Sequence, residues 1–155
     1  LDWLAHAELD GKHVVDYGCG SGILAIAAAK CGARRVWAVD YDEQALWSAS
    51  QNADANAVRL EIVSDTEFFD RGLLSTESGG RAERQGADVV AANILAGTLV
   101  ELAPRLTACL RPTGTLILSG ILVGQVPEVV AAYPQLSFGE PVIHDEWALL
   151  CGAWD

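Results

Sequence analysis

The chain has 155 residues, 51% of them hydrophobic, which is enough for one domain with a substantial core. No apolar run is long enough to cross a bilayer, and no cationic segment followed by an apolar stretch and a cleavage site opens the chain, so a cytoplasmic protein without a membrane partner is expected. Twenty-one acids against ten Lys and Arg leave a net charge of −11, which repels phosphate: direct nucleic-acid binding is not expected, and basic protein or amine partners are favoured.

Residues 1–8 carry apolar side chains at 1, 3, 4 and 7, the spacing of a helical face. Residues 13–17 read as a strand whose Val14 and Val15 suit burial on both faces of a parallel sheet. The apolar run from Ile23 to Ala29 predicts a helix over 22–31, stopped by Gly32. A second strand over 35–39 ends at Asp40. The helix expected over 43–56 puts Ala45, Leu46, Ala49 and Ala53 on one face, and 59–63 is a third strand. Residues 64–86 lose periodicity, and within them the small, polar stretch 75–86 reads as a solvated loop. Strand returns at 88–92. Residues 95–110 are helical with Pro104 inside, so two pieces or a kink are expected. A turn at 111–114 precedes a strand over 115–118, and a last helix spans 124–133. Segments 136–143 and 147–152 predict a closing hairpin around His144-Asp145.

Strands alternating with helices imply a parallel α/β sheet covered on both faces, and the closing hairpin requires one antiparallel strand. Such sheets bind ligands beyond the carboxyl ends of their strands, where the strand order reverses. Gly18, Asp40, Asp65 and Asn93 all follow predicted strands and so share that edge.

The first strand runs into the helix through Asp16-Tyr17-Gly18-Cys19-Gly20-Ser21-Gly22. Three glycines at alternate positions allow a sharp turn and close approach to a ligand, with helix amides behind pointing at it. The spacing departs from the dinucleotide fingerprint G-x-G-x-x-G, whose third glycine position is Ile23 here. Asp16 would repel a pyrophosphate and suits a cationic ligand. Together these features favour S-adenosylmethionine, with its sulfonium and ammonium, held around Asp16, Gly18, Cys19, Gly20 and Gly22. Asp40, 22 residues beyond Gly18, is placed to accept the ribose hydroxyls, with Tyr41 beside it. Asp42 or Glu43 can cap the helix that follows. Asp65 joins the cofactor set at the end of the third strand. The four cysteines show no C-x-x-C spacing and the three histidines are scattered, so packed, reduced thiols and no metal are expected.

Ala92-Asn93-Ile94-Leu95-Ala96, taken with the glycine turn and with Leu118-Ser119-Gly120-Ile121-Leu122, closely resembles the PrmA family, methyltransferases of large-subunit ribosomal protein eleven. The resemblance runs from Leu1-Asp2-Trp3-Leu4 to Glu146-Trp147. It implies a Rossmann-like, seven-stranded S-adenosylmethionine-dependent methyltransferase fold, mostly parallel with one antiparallel strand. It also implies methylation of lysine side chains and the N-terminal amine of that basic ribosomal protein. By resemblance Gly18 is the glycine-turn contact, Asp40 the ribose acid, and Asn93 the catalytic candidate beside the methionine part of the cofactor and the entering amine. Capping the helix near Leu95 is the other reading of Asn93. Trp147 walls the amine channel by resemblance, or else belongs to the core. The family's upstream threonine contact and N-terminal substrate-recognition domain would precede Leu1, so residues 1–155 are expected to be the catalytic part of a longer protein; a chain without methionine agrees. Residues 73–86 make a longer link than the family's usual one. A small-molecule or RNA methyltransferase of the same fold, and a non-catalytic scaffold for adenosine ligands, are the alternatives.

Overall fold

A computed structural model describes residues 1–71 and 86–155. The 73–86 link lies outside the described residues except for Gly86. In chain order the elements are α1 (Asp2–His6), β1 (His13–Tyr17), α2 (Ile23–Lys30), β2 (Arg35–Asp40), α3 (Glu43–Ala55), β3 (Glu61–Ser64) and α4 (Asp65–Asp70). Then follow β4 (Ala87–Asn93), α5 (Ala96–Glu101), α6 (Ala103–Cys109), β5 (Leu110–Leu122), a 3-10 turn (Val123–Gln125), α7 (Val126–Ala131), β6 (Leu136–Phe138), β7 (Val142–His144) and β8 (Trp147–Trp154).

The strands form one sheet in the order β3-β2-β1-β4-β5-β8-β6, with β7 also paired to β8. The first five are mutually parallel. β8 runs antiparallel to β5, β6 and β7. β6 and β7 occupy one sheet position, interrupted at Gly139–Pro141, where a proline without an N–H cannot continue the ladder. Seven positions with one reversed strand therefore result, as the family resemblance implies. The order reverses between β1 and β4, which opens a crevice at their carboxyl ends. Val15, Trp37, Val90 and Leu118 pack against one helical layer; Val14, Ala38, Ala91 and Ile117 pack against the other. Among the described residues no helix is long and apolar enough to cross a membrane.

Three local expectations change, and the break expected near Pro104 is resolved as two helices. The aperiodic stretch after the third strand begins with a helix: Ser64 accepts a hydrogen bond from the Glu67 N–H at 3.2 Å and starts α4, which buries Phe68. A six-residue helix has too few apolar positions to register as a period. The 95–110 helix is two pieces, with Pro104 in the first turn of α6, where its missing N–H costs nothing. The turn at 111–114 is instead a bulge inside β5. Ala87 pairs with Leu110 and Val89 with Thr115, so the intervening residues loop out of register. Finally, 136–143 is two short strands for the proline reason already given.

Candidate active site

The glycine turn is tied to the end of β2, because the N–H groups of Gly18 and Cys19 both donate to the Val39 carbonyl at 2.8 and 3.0 Å. Gly18, at φ +74°, could not carry a side chain: a Cβ would stand 2.6 Å from Cγ2 of Ile94. Gly20, at φ +52°, faces open space on the ligand side, and its N–H donates to Asp40 Oδ2 at 2.9 Å. Asp40 Oδ1 accepts the Asp42 N–H at 3.0 Å. Among the described residues each Asp40 oxygen thus keeps a free lone pair. Asp42 caps α3 by accepting from the Gln44 N–H, as one reading of the sequence allowed.

These residues line one side of a cavity of about 450 Å³ bounded by Tyr17, Gly18, Gly20, Asp40, Tyr41, Asp65, Ile94 and Leu102 among others. Asp65, first residue of α4, accepts a hydrogen bond from the Tyr17 hydroxyl and pairs with Arg105 of α6. Tyr41 stands almost fully exposed at the rim.

Asp16, Cys19 and Gly22 do not line this cavity; they build it from behind. Asp16, whose charge suits a cationic ligand, is 1% exposed, and its Oδ2 accepts the Ala25 N–H of α2 at 2.9 Å. Burial pushes its carboxyl up to about 7 against the pull of that N–H, and the nearby Asp40 charge adds to the rise. Gly22, at φ +78°, starts α2 and lets it approach α3, since a Cβ there would lie 3.0 Å from the Ala49 Cβ. Burial, aided by Asp16 and Asp40, pushes the Cys19 thiol up to about 12, so it stays protonated.

Asn93 belongs to a second cavity of about 440 Å³, lined by Asn93, Ile94, Leu95, Ser119, Gly120 and Trp147. Ile94 borders both cavities. Asn93 does not cap α5, whose N-cap residue is Leu95 and which has no side-chain cap. Trp147 is 47% exposed and walls this second cavity instead of joining the core. Reasoning from the sequence did not single out Tyr17, Ile94 or Arg105. Arg105 gave no signal, because forty residues separate it from Asp65.

A doubly wound sheet with one reversed strand, a glycine turn and strand-end carboxylates around one crevice has the Rossmann-like fold of the methyltransferases. The 16S rRNA N2 G1207 methyltransferase of T. thermophilus, solved with AdoMet and guanosine, shares this fold at a TM-score of 0.70 and 22% identity, covering 95% of this chain and 38% of that one. Within that class, residues 1–153 match the family model described as ribosomal protein L11 methyltransferase (PrmA), and the chain belongs to this family. It is 47% identical over 154 residues to the ribosomal protein L11 methyltransferase of Chromohalobacter salexigens, covering 98% of this chain and 48% of the relative. The ribosomal protein L11 methylase of Lactobacillus delbrueckii subsp. bulgaricus superposes with a TM-score of 0.80 at 30% identity, covering 98% of this chain and 74% of that one. The chain spans about half the length of the curated relatives it matches.

Proposed function

We propose that residues 1–155 bind S-adenosylmethionine and transfer its methyl group to amino groups of ribosomal protein L11, at lysine side chains and the N-terminal amine. The observation that carries this reading is the pair of adjoining cavities that meet at Ile94, one with Asp40 and the other with Asn93. The residues fit the cofactor. Gly20 leaves room for it, Asp40 has a free lone pair on each oxygen for the ribose hydroxyls, and Asp65 offers an acceptor to the adenine amine. A pyrophosphate fits poorly, because Asp16 already holds the Ala25 N–H and brings an acid to the helix start.

When bound, the cofactor supplies a methyl carbon made electrophilic by its sulfonium. The chain's own part is positioning. A lysine amine has a pKa of about 10.4 in water and is mostly protonated at neutral pH. Ile94, Leu95 and Trp147 give the second cavity an apolar wall, which disfavours the charged form of an entering amine. The Asn93 side-chain oxygen accepts one amine hydrogen and turns the lone pair towards the neighbouring cavity; no base is required.

A basic ribosomal protein in the cytoplasm is the partner in this reading. The test is transfer of labelled methyl from S-adenosylmethionine to purified ribosomal protein L11, read as a labelled band. Calorimetry with the methyl donor and with NAD accompanies it. Tight NAD binding, or a full-length enzyme that labels only RNA, would overturn the proposal.

A further inference from the structure

We infer that Tyr17 and Arg105 are positioning residues that hold the Asp65 carboxylate as an acceptor for the exocyclic amine of adenine, and so set the site's preference for that base. This rests on the cofactor reading above and adds to it. Asp65 takes donors from two other elements: the Tyr17 hydroxyl, at the end of β1, on Oδ1, and the Arg105 guanidinium, in α6, on Oδ2. Three elements that meet only in the folded chain therefore converge on one carboxylate, at the side of the cavity bounded by Tyr17 and Leu102.

Both anchors are themselves restrained. Tyr17 is 4% exposed, and its ring packs 6.4 Å from that of Phe69. Arg105 lies over the Phe69 ring, 5.3 Å from its centroid, which limits its swing although the side chain is half exposed. A carboxylate fixed in this way loses little rotamer freedom when a ligand arrives. It can only accept hydrogen bonds, so an amine at that ring position is matched and a carbonyl oxygen is not. Burial and the Asp65 charge hold the Tyr17 hydroxyl above its ordinary range, so it stays a donor at working pH. Glu101 borders the same cavity but has no such pair of anchors among the described residues.

The probes are S-adenosylhomocysteine and S-inosylhomocysteine, which differ at that ring position, titrated calorimetrically into the chain and into Arg105→Ala, Arg105→Lys and Tyr17→Phe. The unaltered chain is expected to prefer the adenosyl ligand by at least tenfold. Arg105→Ala and Tyr17→Phe should shrink that ratio several-fold, with Arg105→Lys in between. If both ligands weaken equally in the variants, the two residues are merely structural and the inference fails. If the chain binds the adenosyl ligand but already fails to discriminate, Asp65 does not read the base. Binding of neither ligand by the unaltered chain overturns the cofactor reading itself. Arg105 is exposed, so its alanine variant keeps the test valid even if Tyr17→Phe misfolds.

Discussion

Gly120 leaves its side-chain space to the Ile94 carbonyl: a Cβ at Gly120 would lie 2.5 Å from that oxygen and 3.2 Å from Asn93 Oδ1. Gly120 also has φ +81°, and the pairing of β5 with β8 shifts register between Leu118 and Ile121. The irregularity in β5 is thus what lets the segment after β4 close down. It fixes Ile94 where both cavities meet and leaves Asn93 beside Trp147.

Gly120→Ala should therefore be costly twice over, through left-handed strain and through a clash with backbone that has no easy retreat. A loss of about 2–4 kcal/mol is expected in urea unfolding. A variant as stable as the parent would mean that Ile94 can move and that the junction is not fixed.

Asp40→Ala should weaken S-adenosylmethionine binding by about 1.5–3 kcal/mol, the range for a hydrogen bond to a charged acceptor. Part of the loss comes from the turn, because the Gly20 and Asp42 N–H groups lose their acceptor. Calorimetry checks it, and an unchanged dissociation constant would remove Asp40 from the site.

Asn93→Ala separates binding from chemistry. Asn93 lies in the Trp147 cavity, across Ile94 from the one lined by Asp40, so cofactor affinity should fall less than the rate of transfer does. Single-turnover methyl transfer in an active full-length enzyme should slow by about ten- to a hundredfold. A large rise in the cofactor dissociation constant with an unchanged rate would reverse this assignment.

Asp16 predicts a pH dependence of stability. Its carboxyl is raised from 3.8 to about 7 on folding, so the folded state holds an extra proton between about pH 4 and 7. Stability contributed by this group is therefore full below pH 4 and falls as pH rises towards 7. Asp16→Asn can still accept from the Ala25 N–H through its amide oxygen, and it should remove that slope from the difference between the two proteins. Denaturant titrations at pH 4.5 and 7.5 measure it; parallel slopes would place the proton elsewhere.

The same proton gives a ligand effect of opposite sign. A cationic cofactor favours the ionised Asp16, so S-adenosylmethionine affinity should rise as pH passes upward through 7. In Asp16→Asn the affinity should be flat across that range. A wild-type protein with no pH dependence between 6 and 8 would show that the Asp16 field does not reach the ligand.

Much of this protein was legible in the chain itself. Alternating apolar strands and helices, with a closing hairpin after Leu136, determine a mostly parallel sheet with one reversed strand. The Gly18-x-Gly20-x-Gly22 turn and Asp40 mark the ligand edge, because backbone freedom and charge are local properties that a sequence displays directly. Asn93-Ile94-Leu95-Ala96 narrows the family. Only the tertiary structure decided which of these residues face the crevice. Asp16 is buried behind the glycine turn, where its carboxyl meets the Ala25 N–H, a placement that only the packing of the first helix over the sheet reveals. The six-residue α4 and the bulge in β5 are too short or too irregular to leave a period. Arg105 meets Asp65 across forty residues of chain, and Trp147 reaches the Asn93 cavity from the last strand. Such contacts depend on how helices pack over the sheet, a long-range property that local propensity does not encode.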